Sequence, residues 1–263
     1  MVSGNITGLV ETPYIKELVS IGSDMGINSM QAAFATNQML DVIYPDAIKG
    51  LKAQDFSMAF MQCVNLTMIP EGLFDNCTEV TDFSYAFAGF NNNQTPITIP
   101  IGLFNKCTKV SNFSNLFASS LIIEIPANTF GTEVEQVNFT DAFINSPVTT
   151  IKSNAFNCPN VISLANVFKN LYNLTTIEEN AFNCPNVMSF EGTFENCESL
   201  KEIPEGLFDK CTKVKDFSEV FSYCVSLQTI PEGLFDHCTE VTDFERAFAN
   251  CYGLQIIPYG LFS

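Results

Sequence analysis

The sequence predicts an α/β solenoid, a stack of short coils, each of which buries its apolar face only against its neighbours. The first observation is a repeat. Shifting residues 226–251 back by 27 positions superimposes Leu227 on Leu200, Ile230 on Ile203, Phe235 on Phe208, Cys238 on Cys211, Val241 on Val214, Phe244 on Phe217 and Phe248 on Phe221. The second is that the period returns along nearly the whole chain. One half-unit is anchored on Phe34, Phe60, Phe87, Phe117, Phe143, Phe168, Phe194, Phe221 and Phe248, and the other on Ile48, Phe74, Phe104, Phe130, Phe156, Phe182, Phe208, Phe235 and Phe262. The third is composition: 25 Phe against 7 Tyr and no Trp is what one reused core slot produces. The expectation is a right-handed superhelix of about nine coils of 26–27 residues, with short parallel strands and short helical or 3₁₀ turns. A continuous spine of this kind leaves no enclosed chamber for reaction chemistry.

Taken in order, residues 1–26 fit the repeat poorly, although Leu18 and Ile21 mark a degenerate half-unit. They are assigned as an N-terminal cap or degenerate repeat ahead of a repeat domain over 27–263. One half-unit runs Ile-Pro-Glu-Gly-Leu-Phe at Ile69, Ile203 and Ile230. Pro ends the strand and suits a helical first turn, and Glu71, Glu205 and Glu232 then stand where a helix N-terminus favours negative charge. The other half-unit runs Val-Thr-Asp-Phe, as at residues 241–244, with apolar residues inward and Thr and Asp outward. A Ser or Thr three residues before the anchoring Phe (Ser57, Ser84, Ser114, Thr140, Ser218) is read as capping the next helical turn with its hydroxyl. Two irregularities map to loops: a polar insertion over residues 90–96, and the degenerate stretch 119–147, with Gly131-Thr132-Glu133 where other repeats have Asp-x-Cys. The chain stops at Leu261-Phe262-Ser263 in mid-pattern, which implies a longer protein or an end covered by a partner.

Of the ten cysteines, Cys158, Cys184, Cys211 and Cys238 recur at one repeat position and Cys197, Cys224 and Cys251 at another. Side chains stacked in parallel orient poorly for a bridge, and Ser120, Ser146 or Phe90 fill the same slots elsewhere. Buried free thiols are therefore expected, not disulfides. The net charge of −17 argues against nucleic acid and against an anionic membrane surface. No apolar run is long enough to span a bilayer, and the first residues lack the layout of a signal peptide.

Candidate chemistry is sparse. The lone His237 occupies a slot filled by Asn76, Lys106 and Lys210, a variable surface position, and no metal, phosphate or nucleophile motif is present. No catalytic residue, metal or cofactor is expected. Acidic columns at Asp82, Asp216 and Asp243, at Asp75, Asp209 and Asp236, and at Glu71, Glu205 and Glu232 would repel unless a cation or basic partner relieved them. Interruption by Asn112 and Asn105 favours capping and solvation instead. The outward residues beside the strand positions are the candidate recognition surface: Thr81, Asp82, Thr149, Thr150, Thr175, Thr176, Lys201, Glu202, Lys215, Asp216, Gln228, Thr229 and Asp243.

Runs such as Glu79-Val80-Thr81-Asp82-Phe83-Ser84-Tyr85-Ala86-Phe87, with Ala-Phe-x-x-Cys segments like residues 247–251, resemble the BspA-like leucine-rich repeats of surface proteins from Bacteroidetes and some protists. The Val-Thr-Asp-Phe-Ser run is also similar to the repeat of mycoplasma-type surface lipoproteins. The match covers roughly residues 27–262 and departs from the commonest family repeat in running at 26–27 residues. What the resemblance implies is a leucine-rich-repeat solenoid, non-enzymatic, at the cell surface or outside the cell, adhering to a protein or glycan through an extended face. The alternative is a structural or virion-associated repeat protein, such as a phage receptor-binding part or spacer, that associates end to end through its open C-terminal end.

Overall fold

The computed structural model describes residues 4–5, 14–21, 26–90, 95–130 and 137–262. The inserted Asn91–Gln94 and the degenerate Gly131-Thr132-Glu133 lie outside them, as does much of the segment assigned as a cap. Seven short strands occur: β1 (Gly4–Asn5), β2 (Glu17–Leu18), β3 (Ile27–Ser29), β4 (Val42–Ile43), β5 (Glu124–Ile125), β6 (Thr150–Ile151) and β7 (Thr176–Ile177). Every pairing is parallel: β1 with β3, β2 with β4, and β5–β6–β7 in one sheet. The N-terminal β1 and β2 thus pair one repeat ahead, as later units do.

The strands are short because each unit joins the next over only a few residues before the chain turns inward. Isolated parallel bridges continue the two ladders beyond them, through Ser29, Asp55, Asp82, Asn112 and Asn138 and from Ser163 through Ser189 and Asp216 to Asp243 on one, and between Glu202 and Thr229 on the other.

The helical turns expected from the sequence are not there, and no helix forms among the described residues. From Phe56 to Cys63 the chain is a run of overlapping β-turns: Ala59 N–H donates to Phe56 O, Met61 N–H to Met58 O and Cys63 N–H to Phe60 O, at 3.0, 3.0 and 3.1 Å. Met58 and Gln62, third residues of the outer two turns, have φ of 57°, as a type II turn requires. The intervening N–H groups of Phe56, Met58, Phe60 and Gln62 point along the stack to the carbonyls of Asp82, Ser84, Ala86 and Ala88, at 2.8–2.9 Å. An α-helix would use those N–H groups on its own carbonyls four residues earlier and leave adjacent units unlinked. Left-handed residues are the cost of this arrangement, and Asn and Gly fill many of the slots, among them Asn115, Asn145, Asn166, Asn170, Gly192, Asn196 and Asn250.

The Pro-Glu-Gly half-unit is corrected in the same way. Leu73 N–H donates to Pro70 O across a turn whose third residue, Gly72, has φ 69°. A Cβ there would meet Asp75 Oδ2 at 3.1 Å; at Gly206 and Gly233 the matching distances to Asp209 and Asp236 are 2.9 Å. The Asp column therefore folds back over its own glycine, and Glu71, Glu205 and Glu232 stand at no helix terminus.

The core is the stack the repeat foretells. Rings at the Phe anchor meet from Phe34–Phe60 (5.6 Å between centroids) through Phe60–Phe87, Phe87–Phe117, Phe117–Phe143, Phe143–Phe168, Phe168–Phe194 and Phe194–Phe221 to Phe221–Phe248 (5.6 Å), without a break. Phe74, Phe104 and Phe130 form a second stack and Phe56, Phe83, Phe113 and Phe139 a third. Between these stacks the rings meet edge to face, Phe83 and Phe104 at 5.0 Å and 63°. Offset stacked and edge-to-face pairs are the favoured aromatic geometries, so the same ring serves both directions.

Candidate binding face

The candidate residues divide between the two ladders, and the chemistry of the ladders differs. On the ladder through Asp82 the side chains serve the backbone. Asp55, Asp82, Asn112, Asn138 and Asp216 each accept, on Oδ1, the N–H of the residue two positions on, at 2.6–3.0 Å. Asp243 does the same for Glu245, and Ser29, Ser163 and Ser189 do it with Oγ. The residues read from the sequence as hydroxyl caps, Ser57, Ser84, Ser114, Thr140 and Ser218, are thus the N–H donors, and the acid or amide before them is the cap. Where a neutral residue neighbours an acid in the column it donates to it: Asn112 Nδ2 to Asp82 Oδ2 at 3.1 Å, and Ser189 Oγ to Asp216 Oδ2 at 3.2 Å. Thr81 donates its hydroxyl to Gln54 O. Of the candidates on this ladder, Lys215 alone has its side chain unengaged among the described residues, while its carbonyl accepts Thr242 and Asp243 N–H.

On the other ladder β5, β6 and β7 bring Thr149, Thr150, Thr175 and Thr176 into register. Thr175 and Thr176 N–H both donate to Thr149 O, at 3.0 and 3.1 Å. The hydroxyls of Thr149 and Thr175 reach back to Ile123 O and Thr149 O, and those of Thr175 and Thr176 pair at 3.4 Å, so three of the four threonine hydroxyls are engaged within the chain. Beyond them Glu202 bridges to Thr229, and Gln228 N–H donates to Lys201 O. Among the described residues the side chains of Thr150, Lys201, Glu202, Gln228 and Thr229 make no hydrogen bond or ion pair with the chain.

Of these, Lys201, Glu202, Gln228 and Thr229 line two adjoining open grooves. One, of about 430 Å³, runs past Thr175, Thr176, Glu179, Glu202, Glu205 and Thr229; the other, of about 850 Å³, past Lys201, Gln228, Thr229, Glu232, Gln255 and Ile256. Glu179, Glu205, Glu232, Gln255 and Ile256 were not anticipated as part of this surface. The available signal was their spacing: each Glu follows an outward strand residue (Thr176, Glu202, Thr229) by three. At the centre of the face Lys152 Nζ pairs with Glu124 Oε2 at 3.4 Å and Glu178 Oε1 at 3.1 Å, and Ser153 N–H and Oγ donate to Glu178 Oε2. The Ser153 amide, then Lys152, holds the Glu178 carboxyl below its usual value.

All ten cysteines are free and buried, as expected. Their thiols are donors: Cys63, Cys197, Cys224 and Cys251 Sγ lie 3.0–3.4 Å from the carbonyls of Phe34, Phe168, Phe194 and Phe221 in the preceding unit. Ser120 and Ser146 make the same bond to Phe87 O and Phe117 O, at 2.6 and 2.8 Å. Burial pushes the thiols up, to about 12 at Cys63 and Cys184, which makes them poor nucleophiles. His237 is exposed. Among the described residues no group of three His, Cys, Asp or Glu side chains is arranged to hold a metal ion, and no helix is long and apolar enough to cross a membrane.

Residues 67–215 and 98–259 match the BspA type leucine rich repeat region, in six copies. No curated protein matches the chain. Among solved structures, a leucine rich cell surface protein from Faecalibacterium prausnitzii is 20% identical over 88% of this chain and 73% of that one, with a TM-score of 0.29. A leucine-rich repeat protein from Bacteroides ovatus is 18% identical over 91% and 77%, TM-score 0.25. A chain of the Drosophila Toll–Spatzle complex is 16% identical over 87% of this chain and 36% of its own, TM-score 0.41.

Proposed function

The chain belongs to the BspA-type leucine-rich-repeat family, and from that premise we propose that it is a non-enzymatic binding module of the cell surface or extracellular space. On this reading it is a right-handed solenoid of about nine coils, with residues 1–26 as cap or degenerate repeat, and it holds a protein or glycan ligand on the strand face carrying Thr149, Thr150, Thr175, Thr176, Lys201, Glu202, Gln228 and Thr229. The observation that carries the proposal is the contrast between the ladders. On one, Asp82, Asp216 and Asp243 are engaged by their own backbone; on the other, Lys201, Glu202, Gln228 and Thr229, whose side chains have no intramolecular partner among the described residues, line adjoining grooves. Exclusion of nucleic acid belongs to the same proposal and rests on charge alone.

The test is parallel screening of the labelled protein on protein and glycan arrays with two double variants. Thr176→Lys/Thr229→Lys is expected to lose the ligands that the wild type and Thr81→Lys/Lys215→Glu retain. Binding that survives the first pair and fails with the second, or no ligand on either array, overturns the proposal.

A further inference from the structure

We propose that the strand face selects a cationic polypeptide segment with apolar residues, a deepening that rests on the binding-face reading above. Three features of the face point to that occupant.

The first is unbalanced charge in the grooves. Glu179, Glu202, Glu205 and Glu232 line them with Lys201 as the one lining cation, and none of these five side chains forms an ion pair among the described residues. At the centre of the same face the opposite holds, with Lys152 serving both Glu124 and Glu178. The carboxylates of the grooves thus differ from the two at the centre of the face in having no cation of the chain paired with them.

The second is exposed apolar surface on the same face. Met68 is 54%, Ile101 76% and Ile123 43% exposed, in positions equivalent to Glu202, Glu205 and Lys201 of the later repeat. Ile256, 75% exposed, lines the larger groove beside Glu232. Met68 and Ile256 take the slot that Glu202 and Thr229 fill in units between them, so apolar and polar side chains share one row of the face.

The third is the rigidity of the floor. Parallel pairing of β6 with β7, the Glu202–Thr229 bridge and the buried Ile177, Ile203 and Ile230 fix the spacing of the rungs under the grooves at about 4.8 Å, so the groove side chains are held in place without the partner having to order them. An acidic partner would meet like charge, and a neutral glycan would leave the carboxylates unmatched. A polypeptide bearing Lys or Arg with apolar neighbours matches both kinds of slot.

Fluorescence anisotropy with a short labelled peptide of Lys and Leu, against its Glu-for-Lys counterpart, tests this at physiological salt. The lysine peptide is expected to bind and the glutamate peptide not. Affinity is expected to fall about tenfold in E202Q/E205Q/E232Q, the sum of exposed ion pairs of about 0.5 kcal/mol each. It is expected to fall less than twofold in E198Q/E240Q/E245Q, which removes the same charge from exposed acids outside the grooves. Met68→Thr/Ile101→Thr is expected to weaken binding a few-fold. Equal losses in the two triple variants would mean attraction by net charge alone, and this or binding of the glutamate peptide overturns the inference. If the face variants abolish capture of a glycan or an acidic protein while the lysine peptide goes unbound, the cationic inference fails and the binding-face reading stands. If no ligand responds to them, that reading fails too.

Discussion

At the scale of single residues, the repeat positions are filled by whichever side chain performs one local bond. Cys63, Cys224 and Cys251 donate a thiol proton where Ser120 and Ser146 donate a hydroxyl. Cys224→Ser is therefore expected to unfold in urea within about 1 kcal/mol of the wild type, whereas Cys224→Leu overfills a sealed slot and costs about 1–3 kcal/mol. Because burial raises the thiol pKa in the fold, the native chain keeps protons that the unfolded chain releases. Stability attributable to the thiols is present in full below about pH 8.5 and falls as pH rises through the alkaline range toward the folded value, about 12 at Cys184. Thermal melts should show that decline, and a thiol reagent should titrate ten groups only after denaturation. The Asx slot gives a sharper contrast. Asp82→Asn keeps the acceptor for Ser84 N–H and should be nearly neutral; Asp82→Ala leaves it unpaired and should cost about 1 kcal/mol in the same urea experiment.

At the scale of elements, the type II turns depend on glycine and asparagine at left-handed positions. Gly206→Ala places a Cβ 2.9 Å from Asp209 Oδ2 at φ 65°, and a loss of more than about 1 kcal/mol is expected. Across the strand face, the depressed Glu178 carboxyl stabilises the fold above its unfolded pKa and ceases to do so as pH falls through its folded value. The stability difference between the wild type and Glu178→Gln should accordingly hold at neutral pH and shrink as acidification passes below the ordinary glutamate value of about 4.3.

The same elements show what was legible in advance. Leu, Ile, Val and Phe at fixed offsets foretold the parallel stack, because a repeated apolar slot has no other way to be buried. The turns were misassigned because Ser84 or Pro70 before an apolar pair suits a helix start and a chain of β-turns equally; only the destination of alternate N–H groups separates them, and that lies in the neighbouring unit. The sequence does not divide the candidate surface between the ladders, because outward Thr and Asp alternate alike in both half-units. Whether Asp82 faces a ligand or Ser84 N–H depends on a local turn that composition does not encode. Glu205 and Glu232 were assigned to a helix end and so were missed as groove residues.

For the whole molecule, adjacency replaces a central core. Phe113 touches Phe83, Phe104, Phe130 and Phe139, rings of its own and neighbouring units, and such ring contacts among the described residues join only the same or adjacent units. Stability of such an array is close to a sum over units and their interfaces. The most direct test is excision of residues 190–216, which joins Ser189 to Phe217 and so keeps the slot before each Phe in register. The account predicts a folded, monodisperse and shorter protein with a cooperative melt at modestly lower temperature. A chain that fails to fold after this excision would contradict it.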